Sequence, residues 1–377
     1  MARSKKTTKK KVTKTKTKPK RAKRYVSKRK TLKKKLGPLN LRKPKHNPII
    51  QPSPDLAWQS KATFNPTAIH HDGKVHIIYR AIGDNDVSVL GYANSLNGTS
   101  IAEGHPEAVY THRTDGSKKR MRKKPPLVPI SSGGGWSGGC EDPRLTALDD
   151  RAYLLYTAFD GWGSMRTTLT SISLDDFVSK RWRWDEPVAI SFPGERGKNW
   201  VLFPEKIHGQ YAILHAISPK IMIDYVRDMD EFDGHKFIKS LSYEEREKEV
   251  REKGIRGVGP APIKTKYGWL VLYHAIEKSD PGKYKLWAMI LDLDDPTKVL
   301  YRSKQAILEP DEEYENVGFK WGVVYACGAV VKDGELFVYY GGADKVSCVA
   351  SVNLAKFLHE LIKMKEPKLS TRKVSKV

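Results

Sequence analysis

The first 46 residues contain no aspartate or glutamate, the whole 377-residue chain has only three cysteines, and no apolar run is long. Each shortage removes a class of answer. A membrane helix needs roughly 18 or more apolar residues, and the N-terminus carries charge without an apolar segment. Neither insertion nor export is encoded, and a cytoplasmic location without membrane contact is expected. Cys140, Cys327 and Cys348 are widely spaced and odd in number, with no Cys/His pair at zinc spacing, so reduced thiols are expected and no metal. Cys140 stands beside an acidic motif, but with no histidine near it in sequence a nucleophilic thiol is the lesser reading. Gly133-Gly134-Gly135 reads as a flexible approach to that motif rather than a phosphate cradle, and no other nucleotide loop is present, so no cofactor is expected.

The formal charge of +25 is unevenly placed. Residues 1–46 hold 22 Lys/Arg, whereas residues 47–377 hold 46 basic and 43 acidic residues, so the body is close to neutral. The first segment lacks apolar periodicity and is expected to be a disordered tail, with residues 367–377 a second, basic one. Such a tail suits sequence-blind contact with nucleic acid or another polyanion, and equally a solubilising role. Lys118, Lys119, Arg120, Arg122, Lys123 and Lys124 add a second basic cluster in a loop. With 39% hydrophobic residues, 9 Trp and 17 Tyr, residues 47–366 can form a packed core.

That body repeats one unit five times: a polar lead-in, a short apolar strand, a tight turn and an alternating strand. The turns fall at Asp72-Gly73, Asp149-Asp150, His208-Gly209, Tyr267-Gly268 and Asp333-Gly334, and such pairs favour hairpins. Spacings of 59 residues (Gly209 to Gly268) to 77 (Gly73 to Asp150) leave room for four strands per unit. An all-β, five-bladed β-propeller is expected, with a β-sandwich as the alternative. Ser88–Ala93 and Lys285–Asp292 read as third strands. Ser242–Lys253 interrupts the pattern as a helix, with Ser242 and Glu245 forming a capping box; polar all round, it reads as a solvated lid or spacer. Leu354, Phe357, Leu358 and Leu361 keep helical spacing and predict a short closing helix.

A propeller gathers the lead-ins of its inner strands on one face, so residues distant in sequence meet there. These lead-ins supply Arg80, Asp84, Glu141-Asp142-Arg144, Lys198, Glu205-Lys206, His215, His274 and Asp344. Asp142-Pro143 alone is a common turn starter. Carboxylates in this number, without metal-ligand spacing, favour glycosyl chemistry, in which an acid protonates a leaving oxygen. Trp136, Trp162, Trp200 and Trp321 could stack on sugar faces, although tryptophan in a β-protein is more often core.

Several motifs carry a family resemblance. They are Tyr79-Arg80-Ala81-Ile82-Gly83 with Leu90-Gly91-Tyr92-Ala93, Glu141-Asp142-Pro143-Arg144, Leu202-Phe203-Pro204-Glu205-Lys206-Ile207, Gly257-Val258-Gly259-Pro260, Tyr273-His274, Cys327-Gly328-Ala329 and Tyr340-Gly341-Gly342-Ala343-Asp344. In this order, over roughly residues 60–355, they resemble glycoside hydrolase family 130. The resemblance implies an inverting enzyme that cleaves β-mannosides, usually with inorganic phosphate as co-substrate to give mannose 1-phosphate, in some members with water. It implies Asp142 as general acid, acting through a sugar hydroxyl, and Arg80, Asp84, Glu141, Arg144 and Asp344 around the sugar.

The phosphate site departs from the family pattern. Two arginines, a lysine and a histidine align with Lys198, Ala216, Ile255 and His274, so two cationic positions are neutral. Loss of a bidentate arginine weakens anion recognition. Arg256, with Lys198 and His274, is the expected compensation, and Arg227 is another candidate. A hydrolase would need a carboxylate to activate water, for which Glu205 is the candidate, against a structural pairing with Lys206 or an arginine. The competing reading is an inactive propeller that binds glycan or polyanion. Linkage, aglycone and homo-oligomeric state are not encoded legibly.

Overall fold

The computed structural model describes residues 37–112, 138–159 and 164–364. Most of the expected N-terminal tail, the basic cluster 118–124, the glycines 133–135, Trp136, Trp162 and the C-terminal tail lie outside them.

Five antiparallel groups follow one another along the chain. The first holds β1 (Ala62–His71), β2 (Lys74–Ile82), β3 (Val87–Ser95) and β4 (Glu103–Gly104). The second holds β5 (Gly138–Leu148), β6 (Arg151–Phe159), β7 (Met165–Ser173) and β8 (Val188–Ala189). The third is shorter, with β9 (Val201–Leu202), β10 (Tyr211–Ala216) and β11 (Met222–Val226). The fourth holds β12 (Ile255–Val258), β13 (Ile263–Thr265), β14 (Gly268–Ala275), β15 (Lys285–Leu291) and β16 (Val299–Arg302). The fifth holds β17 (Val324–Lys332), β18 (Glu335–Gly342) and β19 (Val346–Asn353).

Their hairpins turn where the sequence has Asp-Gly. His71 pairs with Lys74 and Lys332 with Glu335 across two residues of positive φ, 47° and 72° at Asp72-Gly73 and 50° and 77° at Asp333-Gly334. That geometry matches the twist of the flanking strands. The fourth turn sits one residue earlier than expected, at Lys266-Tyr267, because Thr265 pairs with Gly268.

Contacts pass from each group to the next. The first two join through parallel pairing of Val87 and Ser88 with Gly138 and Gly139. Thr146 Oγ1 donates to the Leu202 carbonyl, Asn199 Nδ2 to the Arg256 carbonyl, and the Ala326 N–H to His274 Nε2. The cycle returns from fifth to first through the Thr63 N–H to the Lys345 carbonyl (3.0 Å). Gly328 permits this last approach, since a Cβ there would lie 2.6 Å from the Ala68 nitrogen. This is the arrangement of a five-bladed all-β propeller.

Apolar faces of neighbouring groups form the core between them. Leu214, Val258, Val271 and Tyr273, for example, share one cluster. Among the described residues, three α-helices sit outside this scheme: α1 (Leu174–Val178), α2 (Tyr243–Lys253) and α3 (Leu354–Ile362). Ser242 and Glu245 form the expected capping box of α2. Phe357, Leu358 and Leu361 of α3 are buried, as their spacing predicts. Residues 37–46, read from sequence as the end of the tail, pack onto the fifth group. Leu39 and Leu41 are buried, the Arg42 N–H donates to the Ser351 carbonyl, and Lys43 pairs with buried Glu315.

Candidate active site

All five groups carry a one-residue β-bulge in a strand near the same end. A bulge re-aims the side chain that it carries. In β1 the register slips between Phe64 and Thr67, in β5 between Glu141 and Arg144. The two slips superimpose Asn65-Pro66 on Asp142-Pro143, and Asn65 and Asp142 both have left-handed backbone, with φ of 49° and 50°. Asn199, Ala343 and Asp344 share that region, with φ of 64°, 50° and 52°. Asn and Asp tolerate it best, and such backbone clusters at functional sites.

Arg80, fully buried on β2, organises the carboxylates. Its Nη2 donates to Glu141 Oε1 (3.0 Å), its Nη1 to Asp142 Oδ1 (3.3 Å) and its Nε to Ser88 Oγ (2.9 Å). The Phe64 ring backs the guanidinium at 4.7 Å. Asn65 Nδ2 gives Asp142 Oδ1 a second bond of 2.6 Å. Burial opposes ionisation of both acids. At Asp142 the charges of Arg80 and Arg144 and the Asn65 bond outweigh it and lower the pKa; at Glu141 burial prevails over Arg80 and raises it. Asp344 faces the same group. Burial, against the pull of Lys320, pushes its carboxyl up to about 7, with Asp142 and Glu141 adding to the rise.

Arg144 ties the second group to the third, fourth and fifth. It donates to the carbonyls of Asp142 (2.6 Å), Gly259 (3.0 Å) and Val258 (3.3 Å), to Asn199 Oδ1 (3.1 Å) and to the Tyr325 hydroxyl (3.4 Å). Tyr325 in turn donates to Asn199 Oδ1 (2.5 Å) and stacks on His274, with centroids 4.2 Å apart and planes 2° off parallel. Burial and the Arg144 charge lower the His274 pKa to about 3, so its ring is neutral. Since Nε2 accepts the Ala326 N–H (2.9 Å), the proton resides on Nδ1, which is buried without a partner among the described residues.

A pocket of about 350 Å³, its open mouth included, lies between β10, β12 and α2. Ala216 and Ile255 line it, as do Arg256, Arg246 and Glu249. Arg246 Nε and Nη2 and Arg256 Nε are buried without hydrogen-bond partners among the described residues, and the Arg256 guanidinium stacks on Tyr284 at 5.0 Å. Lys198 is half-buried; burial lowers its pKa, the charges of Asp142 and Glu141 oppose that, and those of Arg246 and Lys320 add to it. Arg246 and Arg256 thus both line the pocket, and the charges of Arg246 and Lys320 reach Lys198. The sequence reading of α2 as solvated on every side is corrected here. Residues three apart share a helix face, and Arg246 and Glu249 turn theirs inward, Glu249 accepting a bond from Ser218 Oγ.

Arg80, Glu141, Asp142, Arg144, Lys198, Arg256, His274 and Asp344 are therefore brought together. Asp84 and Glu205 are not. Asp84 is exposed in the loop after β2 and accepts from Ser60 Oγ (2.5 Å). Glu205 follows β9 towards the Gly209 turn, the opposite end of its group, and is half exposed in an ion pair with Lys264. Its neighbour Lys206 pairs with Asp149 there (3.0 Å). Arg227 is exposed. His215 lines the pocket but is engaged by Asp224 (2.8 Å) and Ser240 (3.0 Å). Trp200 is core, whereas Trp321 is 56% exposed. All three cysteines are buried, and burial raises their pKa values, that of Cys327 to about 12, so they are neutral thiols. Among the described residues no three His, Cys, Asp or Glu side chains are grouped to hold a metal.

Asn65, Asn199, Tyr325, Arg246 and Lys320 escaped the sequence reading. Only Asn65 carried a usable signal, the Asn-Pro pair in the repeat position where the second unit has Asp-Pro.

A family model described as glycoside hydrolase 130, beta-1,4-mannooligosaccharide phosphorylase, matches residues 40–363. The 1,2-beta-oligomannan phosphorylase of Thermoanaerobacter sp. (strain X514) is 35% identical over 327 residues, 84% of this chain and 98% of that protein. The beta-1,2-mannobiose phosphorylase of the same organism is 34% identical, over 82% of this chain and 96% of its own. Among solved structures, the β-1,2-mannobiose phosphorylase of Listeria innocua, in complex with β-1,2-mannobiose, superposes with a TM-score of 0.63. It is 23% identical, covers 85% of this chain and 99% of its own, and speaks to the fold.

Proposed function

Because the chain belongs to glycoside hydrolase family 130, we propose that it is a glycoside phosphorylase that cleaves β-mannosidic linkages of oligosaccharides with inorganic phosphate. The bond from C1 to the glycosidic oxygen breaks, a phosphate oxygen bonds to C1 from the opposite face, and mannose 1-phosphate leaves with inverted configuration. Arg80, Glu141, Arg144 and Asp344 hold the mannosyl unit, and Asp142 supplies the proton that the leaving oxygen takes up. In the unliganded protein Asp142 is held ionised by Arg80 and Asn65. The negative charge of an arriving phosphate raises its proton affinity, and the monohydrogen phosphate restores its proton as the sugar phosphate forms.

The observation that carries the phosphorolytic reading is a set of buried donors without a partner among the described residues: Nε and Nη2 of Arg246 and Nε of Arg256, both lining the pocket, and Nδ1 of His274. A phosphate in the pocket offers acceptors to the two arginines, and buried donors left unpaired are costly. Arg246 and Arg256 supply the charge that Ala216 and Ile255 lack.

Product analysis on short β-mannosides, with and without inorganic phosphate, tests this. Phosphate-dependent mannose 1-phosphate is expected. Free mannose regardless of phosphate would overturn phosphorolysis and point to Glu249, the buried carboxylate of the same pocket, as the group activating water. No turnover in either condition would favour a glycan-binding propeller.

A further inference from the structure

Three of the seven exposed large hydrophobic residues among those described fall within five positions: Val317 (60% exposed), Phe319 (52%) and Trp321 (56%). The other four, Leu96, Phe192, Tyr225 and Leu300, are scattered. Single exposed apolar residues need no explanation, but a clustered patch marks a contact surface.

The backbone of this segment is held along its length. The Val317 N–H donates to the Glu313 carbonyl (2.8 Å), the Lys320 N–H to the Ala343 carbonyl (3.0 Å), and the Gly322 carbonyl accepts from the Tyr284 N–H (2.8 Å). Gly318 lies so close to the turn at Ala343 that a Cβ would stand 2.3 Å from the Ala343 oxygen. Trp321 is backed on one side, with Lys283 Nζ 5.8 Å from its ring centroid and Gly282 beneath its edge. The ring is thus supported from one side.

Its neighbour says where the ring stands. Lys320 turns inward, its Nζ 4.2 Å from the Tyr284 centroid, and its charge acts on Asp344 and Lys198. The aromatic segment is therefore continuous with the rim of the carboxylate cluster. An exposed ring beside this rim suits the apolar C–H face of a pyranose, which stacks on an aromatic ring whose polar edge stays wet.

We propose that Trp321 is a sugar-binding platform for mannosyl units beyond the first two, so that the enzyme favours oligomannosides over the disaccharide. This rests on the β-mannoside reading above. The test compares β-mannobiose and β-mannotetraose of one linkage at saturating phosphate in the wild type, Trp321→Ala and Trp321→Tyr. Trp321→Ala is expected to lower the tetraose-to-biose ratio of kcat/KM about five- to tenfold through KM, and Trp321→Tyr to restore most of it. An unchanged ratio, or an equal loss on both substrates, would overturn the platform while leaving the mannoside assignment standing. Should the wild type cleave neither, that assignment fails by itself, and calorimetric titration with the tetraose decides the platform. Weaker binding by Trp321→Ala supports it; equal or absent binding rejects it.

Discussion

Asn65 Nδ2 lies 2.6 Å from Asp142 Oδ1 although 77 residues separate them, and the two occupy the same bulge position in successive blades. One repeat position thus supplies both the carboxylate and the amide that orients it. Arg80, 3.3 Å from the same oxygen, completes the set.

Replacing Asp142 by Asn removes the acid but leaves Arg80 its bond to Glu141, so the fold is expected to survive. Initial rates of mannose 1-phosphate formation should fall about 10²- to 10⁴-fold, the usual contribution of a positioned acid. An unchanged thermal melt with ordinary turnover would remove Asp142 from the mechanism.

The repeat was legible because turn chemistry and strand alternation are local. Asp72-Gly73 and Asp333-Gly334 announce hairpins without knowledge of the fold. Glu205 misled because its motif is contiguous with β9 while its side chain belongs to the opposite end of the blade, where Lys264 meets it. Arg246 was hidden for a different reason. Its helix is almost entirely polar, and only the pocket beneath shows which polar face is inward. Lys320 has no motif at all; a loop from one blade brings it to Asp344 in another strand pair.

The anion pocket gives a kinetic split. Arg246→Ala and Arg256→Ala should each raise KM for phosphate about tenfold to a hundredfold, as expected for a lost charge-assisted hydrogen bond. KM for the mannoside should change little. If both variants instead raise KM for the sugar and leave that for phosphate alone, the pocket does not hold phosphate. Restoration of part of the affinity by Arg246→Lys would separate lost charge from lost packing.

Asp344 makes stability depend on pH. Its folded pKa of about 7 lies above the ordinary value of 3.8, so the folded state binds its proton more tightly than the unfolded chain. Its contribution is fully present below about pH 3.8 and is lost as pH rises through about 7. Between pH 5 and pH 8 the wild-type melting temperature should therefore fall more steeply than that of Asp344→Asn. Parallel curves would mean that Asp344 ionises without penalty in the folded protein.

Gly341 tests whether the Asn65–Asp142 pair is positioned from outside. A Cβ at this residue of β18 would lie 2.1 Å from Asn65 Oδ1 and 2.8 Å from the Asn65 nitrogen. The second contact is with backbone, which cannot rotate away, so Gly341→Ala must displace Asn65 or its strand. Overpacking of this kind costs about 1–3 kcal/mol, seen as a lower denaturation midpoint. The displacement also takes the amide from Asp142, so kcat should fall as it does in Asn65→Ala, with little further loss when the two substitutions are combined. If Gly341→Ala folds less stably yet turns over like the wild type, the amide does not orient the acid. If the two losses multiply in the double variant, they act on separate groups.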